Sequence, residues 1–480
     1  MTKQSRVAGL LAAALVLCAL RAAPAAAQAA DTLDLSLGAA VARGMEQGDE
    51  VRIAETQTDV ADAQVVVARA AGLPQLRLNA GHTHVTQSAR AHAVGQIFNQ
   101  PNTYTSNLSL SQPLFQGGRV IASARAATRV RSASRFEESE TRDQVAFDVQ
   151  RAYLQALFAL RLTEIQAESY RLAGERVTLA DQLLAAGRAA RYDVLRARVE
   201  QANLEPLLIQ ARSDADQAQL ELKRLVNLPT TQPLRLTTSI DTVLIARMVA
   251  RAESVEGLHP DAAAERRPAV RAADDLARAR RDGIAVARAD YLPTIGVSAQ
   301  LGYGAFPLSG FPSGRGQLEP VPCPPDSPPE RVCTLQNGGW FPDRSVGVTV
   351  SWPIFQGMRT RGNVALARAQ ADLASLQLAQ TRERAAVDFA RARDELARAR
   401  AVYAARRETV AEAEEAFRLA SLRFARGLTT QLEVSDAQLA LTTAQTTEAR
   451  ARYDLYLAAA ALARAAGVPP VPDDSFLRSR

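Results

Sequence analysis

The most constraining feature of this chain is a seven-residue motif that occurs twice. Residues 111–117 read SQPLFQG, and residues 351–357 read SWPIFQG. The glycine that ends each motif is followed 70 residues later by another, which is Gly187 in the first copy (187 − 117) and Gly427 in the second (427 − 357). Repetition on this scale indicates one structural unit built twice, so each half is interpreted as a copy of the other.

Long helices are predicted between these landmarks. The segments 118–186 and 358–426 contain no proline. The chain is 47% hydrophobic but only 5% aromatic, since much of its hydrophobic fraction is alanine. Alanine-rich sequence with interleaved charges is typical of long helices and coiled coils. A helix of about 70 residues would be about 105 Å long. Apolar residues of the second copy recur every seven positions, as coiled-coil packing requires, at Phe389, Leu396, Tyr403, Val410, Phe417 and Phe424.

Other helical segments are about half as long. They run over approximately 33–72, 192–227, 267–291 and 429–466. Two half-length helices placed end to end match one long helix, which predicts a tall helical cylinder built from long helices and stacked short ones.

Each copy also contains two segments in which apolar and polar residues alternate. Alternation over about ten residues is what a membrane-spanning β-strand requires. A strand pair on the core of a soluble sandwich is the alternative, but the remaining sequence is predicted to be helical and offers no such core. The apolar positions are Leu76, Leu78, Ala80, Leu108 and Leu110 in the first copy, and Ile295, Val297, Ala299, Leu301, Tyr303, Val346, Val348, Val350 and Trp352 in the second.

Four strands cannot close a barrel, and unpaired sheet edges are not tolerated in lipid. The chain is therefore expected to form oligomers, in which two copies would give eight strands and three would give twelve, enough to leave a lumen. Phe115, Trp352 and Phe355 fall at the ends of the predicted strands. Aromatic side chains at such positions predict a belt at the membrane interface.

The N-terminus has the pattern of a secretory signal peptide. Lys3 and Arg6 precede an apolar run, and an alanine-rich stretch follows it. An exported chain meets oxidising conditions, so a disulfide between Cys323 and Cys333 is favoured over a metal-binding pair. The formal net charge is +6, without a basic run interleaved with aromatics, so nucleic-acid binding is not predicted.

These patterns predict a mainly α fold with a membrane β-barrel contribution. The expected organisation is a signal peptide at 1–29, a first repeat at 30–227, an equatorial connector at 228–262, a second repeat at 263–467 and a tail at 468–480.

The sequence resembles the TolC family of outer-membrane efflux proteins over essentially the whole mature chain. The resemblance is carried by residues 33–55, the two duplicated motifs and the two glycine-led turns, in that order and spacing. It implies a homotrimer with one twelve-stranded barrel in the outer membrane and a long helical barrel through the periplasm. It also implies an inner-membrane pump and a periplasmic adaptor as partners, and no cofactor.

The resemblance also indicates a periplasmic gate. TolC-like proteins place acids six and nine residues after the second turn glycine, around the closed entrance, and Glu433 and Asp436 match that spacing. Three chains would place six carboxylates around one opening, a ring that favours cations. The alternative is that acids in the first helical turns only complement the helix dipole.

Asp193 has the corresponding position after Gly187, and in the family this acid helps to tie the entrance closed. Arg188, Arg191 and Arg196 are candidate partners for it. The turns themselves, formed by Gly187 with Arg188 and by Gly427 with Leu428, would meet the adaptor. Each glycine could equally serve as a simple helix C-cap, and the two interpretations are compatible.

No catalytic constellation is apparent in the sequence. His82 and His84 share a strand face, with His92 beyond them, and polar residues at a barrel rim are a commoner explanation for this pattern than a metal site. We therefore predict a passive conduit of a tripartite efflux or type I secretion system rather than an enzyme. The alternative is a periplasmic adaptor or coiled-coil scaffold without a pore.

Overall fold

The computed structural model describes residues 32–87, 101–239, 242–320, 322, 325, 334–336 and 338–468. The predicted signal peptide, the C-terminal tail after residue 468, His92 and the Cys323–Cys333 pair lie outside the described residues. The chain forms two units. The helical unit contains residues up to 53, 139–267 and 385 onward, and the strand-bearing unit contains residues 54–138 and 268–384.

The same succession of helix, two strands, long helix and returning helix occurs in both halves, as the duplicated motif predicts. The first half contains β1 (Leu33–Leu35), α1 (Leu37–Gln47), α2 (Asp49–Ala70), β2 (Gln75–His84), β3 (Asn102–Gln116), α3 (Arg119–Ala185) and α4 (Arg191–Leu225). The connector contains β4 (Leu234–Leu236), α5 (Thr242–Glu256) and α6 (Pro260–Ala264). The second half contains α7 (Pro268–Arg288), β5 (Thr294–Ala305), β6 (Leu318–Pro320), β7 (Thr334–Gln336), β8 (Phe341–Ser351), α8 (Arg359–Arg407), α9 (Thr409–Ala425) and α10 (Gln431–Ala465). Among the described helices, none has the length and hydropathy needed to span a membrane.

Two of the predicted helices are divided in the structure. The helix predicted over residues 33–72 begins only after β1, which pairs in parallel with β4. It is also interrupted at Gly48, whose ψ of 132° is extended. The second long helix is divided between α8 and α9 at Glu408, which keeps helical dihedrals of −84° and −25°. The Thr409 hydroxyl donates to the Ala405 carbonyl over 3.2 Å. Such back-bonding bends helices, so a bend rather than a loop separates α8 from α9.

A hydrophobic core fixes the helical unit where α3 and α10 pack together. Phe158 and Tyr453 stack with their ring centroids 5.8 Å apart. The Tyr153 hydroxyl donates to the Leu35 carbonyl over 2.8 Å, which ties the β1–β4 ladder to α3. Complete burial of a large apolar side chain stabilises the fold by about 1.5–3 kcal/mol. The large fully buried apolar and aromatic side chains of this unit include Tyr153, Leu154, Tyr456, Phe389, Leu396 and Leu462.

An ionic cluster lies at one end of this core. Arg267 donates to Glu140 and Asp388, each over 3.0 Å, and Arg464 donates to Glu140 over 3.3 Å. Burial, together with the neighbouring Glu140 carboxylate, raises the pKa of Asp143 to about 6, and Arg464 partly opposes this rise. The cluster therefore contains one carboxyl group that titrates well above the usual range for aspartate.

The strand-bearing unit contains a four-stranded antiparallel sheet in the order β2-β3-β5-β8. The register confirms the alternation predicted from sequence, because the apolar sets of all four strands fall on one face. One row of this face, for example, consists of Leu76, Leu110, Ala299 and Val346. The Val346 side chain is 80% exposed, so this apolar face is uncovered in the single chain.

The opposite face of the sheet is small or polar. One of its rows consists of Arg77, Ser109, Gln300 and Ser345. The pairing of β3 with β5 shifts register between Pro113 and Phe115. Proline has no N–H to donate to a ladder, which accounts for an irregularity at this point.

Candidate functional site

The first helix turn is built on Gly187. Its φ of +68° lies in the left-handed region that favours glycine. The Gly187 N–H donates to the Leu184 carbonyl over 2.9 Å, and the Arg188 N–H donates to the Leu183 carbonyl over 2.8 Å. This pattern is a Schellman cap, which satisfies the last carbonyls of α3 and reverses the chain into α4.

The second turn repeats this geometry at Gly427. Its φ is +72°, and the Leu428 N–H donates to the Arg423 carbonyl over 2.9 Å. A Cβ placed on Gly427 would lie 3.9 Å from Nη2 of Arg188, so the two turns lie side by side. Both Arg188 and Leu428 are exposed. The structure thus brings the four predicted turn residues together into one exposed tip.

Glu433 is held across the second turn. Its carboxylate accepts hydrogen bonds from the Arg423 guanidinium, in the last turn of α9, and from the Thr429 hydroxyl. Both charged side chains remain about half exposed. Sequence reasoning did not identify Arg423 as the partner, although a cation ten residues before an acid, on the other side of a tight turn, could have indicated it.

Asp436 lies one turn further along α10 and has a different environment. It is exposed, and within the described part of the chain no hydrogen bond or ion pair engages it. It borders a groove of about 690 Å³ between α3, α4 and α10. Of the two predicted gate acids, Asp436 therefore has the uncompensated charge in a single chain.

Polar side chains hold the tip helices together beside this groove. Arg176 donates to the Ser435 hydroxyl over 3.2 Å, and that hydroxyl donates to Glu200 over 2.7 Å. The Gln438 amide donates to the Ser169 carbonyl over 2.9 Å. Burial lowers the pKa of Arg176, and the Glu200 carboxylate partly offsets this effect.

Sequence reasoning missed this polar cluster. Its signal was a stripe of polar residues at helical spacing on α10, at Gln431, Ser435, Gln438 and Thr442. Hydrogen bonds contribute only about 0.5–1.5 kcal/mol each, so helices joined in this way separate more readily than helices that share a large apolar core.

Asp193 serves as a helix cap within the chain. Its Oδ2 accepts a hydrogen bond from the Ala190 N–H over 3.0 Å at the start of α4. Arg196, one of its candidate partners, instead pairs with Glu200 over 3.2 Å. A contact of Asp193 with neighbouring chains stays a prediction.

The three predicted belt aromatics lie at the helix-side end of the sheet and are exposed. Trp352 is 62% exposed, and its indole N–H donates to the Tyr291 carbonyl over 3.1 Å. Phe115 and Phe355 are also exposed. This combination of an apolar ring with a satisfied polar tip suits the boundary between lipid and water.

The two histidines of β2 are engaged by Asn102 at the other end of the sheet. The Asn102 amide nitrogen lies 3.2 Å from the Leu308 carbonyl, so its Oδ1 faces the imidazoles of His84, at 2.8 Å, and His82, at 3.4 Å. In the described ranges no group of three or more potential metal ligands was found.

Comparison with known proteins agrees with this architecture. The model of the family described as "Outer membrane efflux protein" matches residues 45–228 and 259–468. The chain is 28% identical over 416 residues to outer membrane protein OprJ of Pseudomonas aeruginosa, covering 85% of this chain and 78% of OprJ.

Solved structures show the same fold. The CmeC outer membrane channel of Campylobacter jejuni matches with a TM-score of 0.71 at 16% identity, covering 92% of this chain and 87% of CmeC. The outer membrane protein VceC of Vibrio cholerae matches with a TM-score of 0.70 at 20% identity, covering 91% of this chain and 97% of VceC.

The chain belongs to the outer membrane efflux protein family. It is an outer-membrane efflux protein, which confirms the predicted family, efflux function and location. The family match supports an outer-membrane efflux protein and not the alternative of a periplasmic adaptor or scaffold.

Proposed function

We propose that three copies of this chain assemble into one passive conduit, which carries substrates from the periplasm to the exterior without chemical change. The observation that carries this proposal is the four-stranded sheet with one exposed apolar face and two edge strands, β2 and β8. Unpaired edges are costly in lipid, and pairing β8 of one copy with β2 of the next closes a ring. Three copies give twelve strands, enough to surround a lumen lined by the polar face.

The helix tips supply the periplasmic entrance. With three chains around one axis, Asp436 would form an acidic ring, while Arg423 offsets the charge of Glu433. The weakly bonded polar cluster beside the groove lets the tip helices move apart when the entrance opens. Asp193 would stabilise the closed entrance through contacts with the neighbouring chain.

An adaptor and an inner-membrane pump complete the assembly. The exposed turns at Gly187–Arg188 and Gly427–Leu428 are the surface that the adaptor would contact. The left-handed backbone conformation of Gly187 and Gly427 keeps both turns narrow. Leu428 is 65% exposed, which suits an apolar contact with a partner.

The experiment that tests the conduit combines stoichiometry with conductance. Native mass spectrometry of the detergent-extracted protein is expected to give a mass of three protomers, and planar-bilayer recordings are expected to show one conducting pore per trimer. A protein that stays monomeric in detergent and produces no conductance steps would contradict the proposal.

A further inference from the structure

The lipid-facing side of the sheet contains one cation, Arg344 on β8. The register places Arg344 in the row of Leu78, Leu108 and Leu301, whose apolar side chains form this face. Its neighbour Asp343 points to the opposite face because side chains alternate along a strand. A charge on a lipid-facing strand is costly unless it reaches the membrane boundary or finds an anion.

The height of Arg344 follows from its distance to the interfacial Trp352. Eight residues separate them (352 − 344), which is about 26 Å along a strand at about 3.3 Å per residue. With a strand tilt of about 40°, the rise along the membrane normal is about 20 Å, and the apolar band of an outer-membrane barrel is about 25 Å tall. Arg344 therefore lies just inside the boundary at the loop end of the sheet. Tyr303 lies in the next row outward, as an interfacial aromatic would.

Among the described residues, none supplies an anion for this guanidinium. In the part of the chain that the structure describes, no ion pair or hydrogen bond engages Arg344, and its side chain is exposed. Strands β2, β3 and β5 contain no acidic residue, so β2 of an adjacent copy could not provide one in the proposed trimer. The single acid on β8 is Asp343, on the other face.

We propose that Arg344 binds the phosphate of an anionic lipid headgroup in the outer leaflet, one site per protomer. This inference rests on the proposed membrane-spanning trimer. The arginine stem extends along the apolar surface, and its planar head reaches the phosphate layer, where it makes charge-assisted and bidentate hydrogen bonds. The site anchors the rotation and depth of the barrel through a lipid contact, a role that a leucine at this row would not provide.

The test measures lipid binding to purified trimers by native mass spectrometry. The probes are lipid A with two phosphates, the same lipid without its phosphates, and inorganic phosphate as a competitor. Arg344→Leu keeps the face apolar and so preserves folding, and Arg344→Lys keeps the charge. Arg77→Leu is the matched control, because Arg77 lies on the opposite face of the same sheet.

The parent is expected to bind phosphorylated lipid A at least about tenfold more tightly than Arg344→Leu, because the leucine lacks the charge-assisted hydrogen bonds of the guanidinium. Arg77→Leu should bind as the parent does, and Arg344→Lys should recover part of the affinity. The inference is overturned if Arg344→Leu binds like the parent, if removing the phosphates changes nothing, or if inorganic phosphate displaces the lipid at equal concentration.

Conductance of the same preparations separates this inference from the proposed function. Conducting trimers without a phosphate-dependent lipid preference would overturn the Arg344 site alone. Preparations that neither form trimers nor conduct would overturn both.

Discussion

Replacing Val348 with arginine tests which face of the sheet meets the membrane. Val348 lies four residues from Trp352 (352 − 348), which corresponds to about 13 Å along the strand and about 10 Å along the membrane normal. That height is close to the middle of an apolar band about 25 Å tall. The row partner of Val348 on β5 is Val297, and Val348 itself is 68% exposed, so the new charge would project into lipid.

The expected loss is large because the charge cannot reach either boundary. An arginine near the midplane destabilises a membrane barrel by about 2–4 kcal/mol, and three well-separated copies would lose about 6–12 kcal/mol per trimer. Arg344, about 10 Å closer to the boundary at the loop end, is tolerated because the cost falls to about 0–1 kcal/mol near the interface. Arg344 is therefore a natural control, because it is an arginine on the same face at a depth where the cost is small.

The assay is refolding from urea into lipid vesicles, followed by tryptophan fluorescence and by the yield of heat-resistant trimers. Thr349→Arg is the matched variant, because Thr349 opposes Gly296 on the polar face of the same strand. It should change stability by no more than about 0.5 kcal/mol, as surface substitutions usually do. Equal losses in the two variants, or a larger loss for Thr349→Arg, would refute the assigned orientation of the sheet.

Three further outcomes are expected. Asp436→Asn should reduce cation preference in single-channel recordings more than Glu433→Gln does, because Arg423 already offsets Glu433; identical selectivity in the parent and both variants would remove these acids from the gate. The Cys323–Cys333 pair should be alkylated only after reduction in protein taken directly from an oxidising compartment, as mass spectrometry would show, whereas free thiols would contradict the disulfide. The raised pKa of Asp143, about 6, means that the native state holds its proton longer than the unfolded chain does, so this group lowers stability as pH rises from about 4 to about 6. Asp143→Asn should therefore melt at a higher temperature than the parent at pH 8 and at nearly the same temperature at pH 4, when helix loss is followed by circular dichroism; an equal shift at both values would exclude the titration.

Much of the strand-bearing unit could be predicted because the pattern of a membrane strand is local. Side chains alternate with a period of two, so the parity of Leu76, Leu108, Val297 and Val348 within each strand already separates two faces. Each strand therefore already had its own apolar face, and the pairing register only had to bring the four apolar faces onto the same side of the sheet. The same parity places Arg344 on the apolar face, and this position could have been identified from sequence had the alternation been followed beyond Val346.

Positions in the helical unit were less predictable where hydrogen bonds that leave hydrophobic periodicity unchanged decide the structure. The heptad continues through Glu408, yet Thr409 bonds back to the Ala405 carbonyl and bends the helix there. The sequence predicts that residues 33–35 belong to the first helical segment. They instead form β1, because β4, about 200 residues away, offers an edge to pair with. Neither the bend at Glu408 nor the pairing of β1 with β4 changes the spacing of hydrophobic residues, so that spacing could not predict them.

The sequence by itself determined the duplicated plan, the two glycine turns and the division of each strand into an apolar and a polar face. These features depend on the dihedral freedom of glycine and on the fixed periods of helix and strand, which operate within a few residues. Only the tertiary structure decided which carboxylates are neutralised. Arg423 reaches Glu433 across a turn, and Arg176 and Glu200 meet Ser435, whereas Asp436 is left exposed. The hydrogen bond between Arg176 and Ser435, which are 259 positions apart, depends on how α3 and α10 pack, and no local pattern specifies that packing.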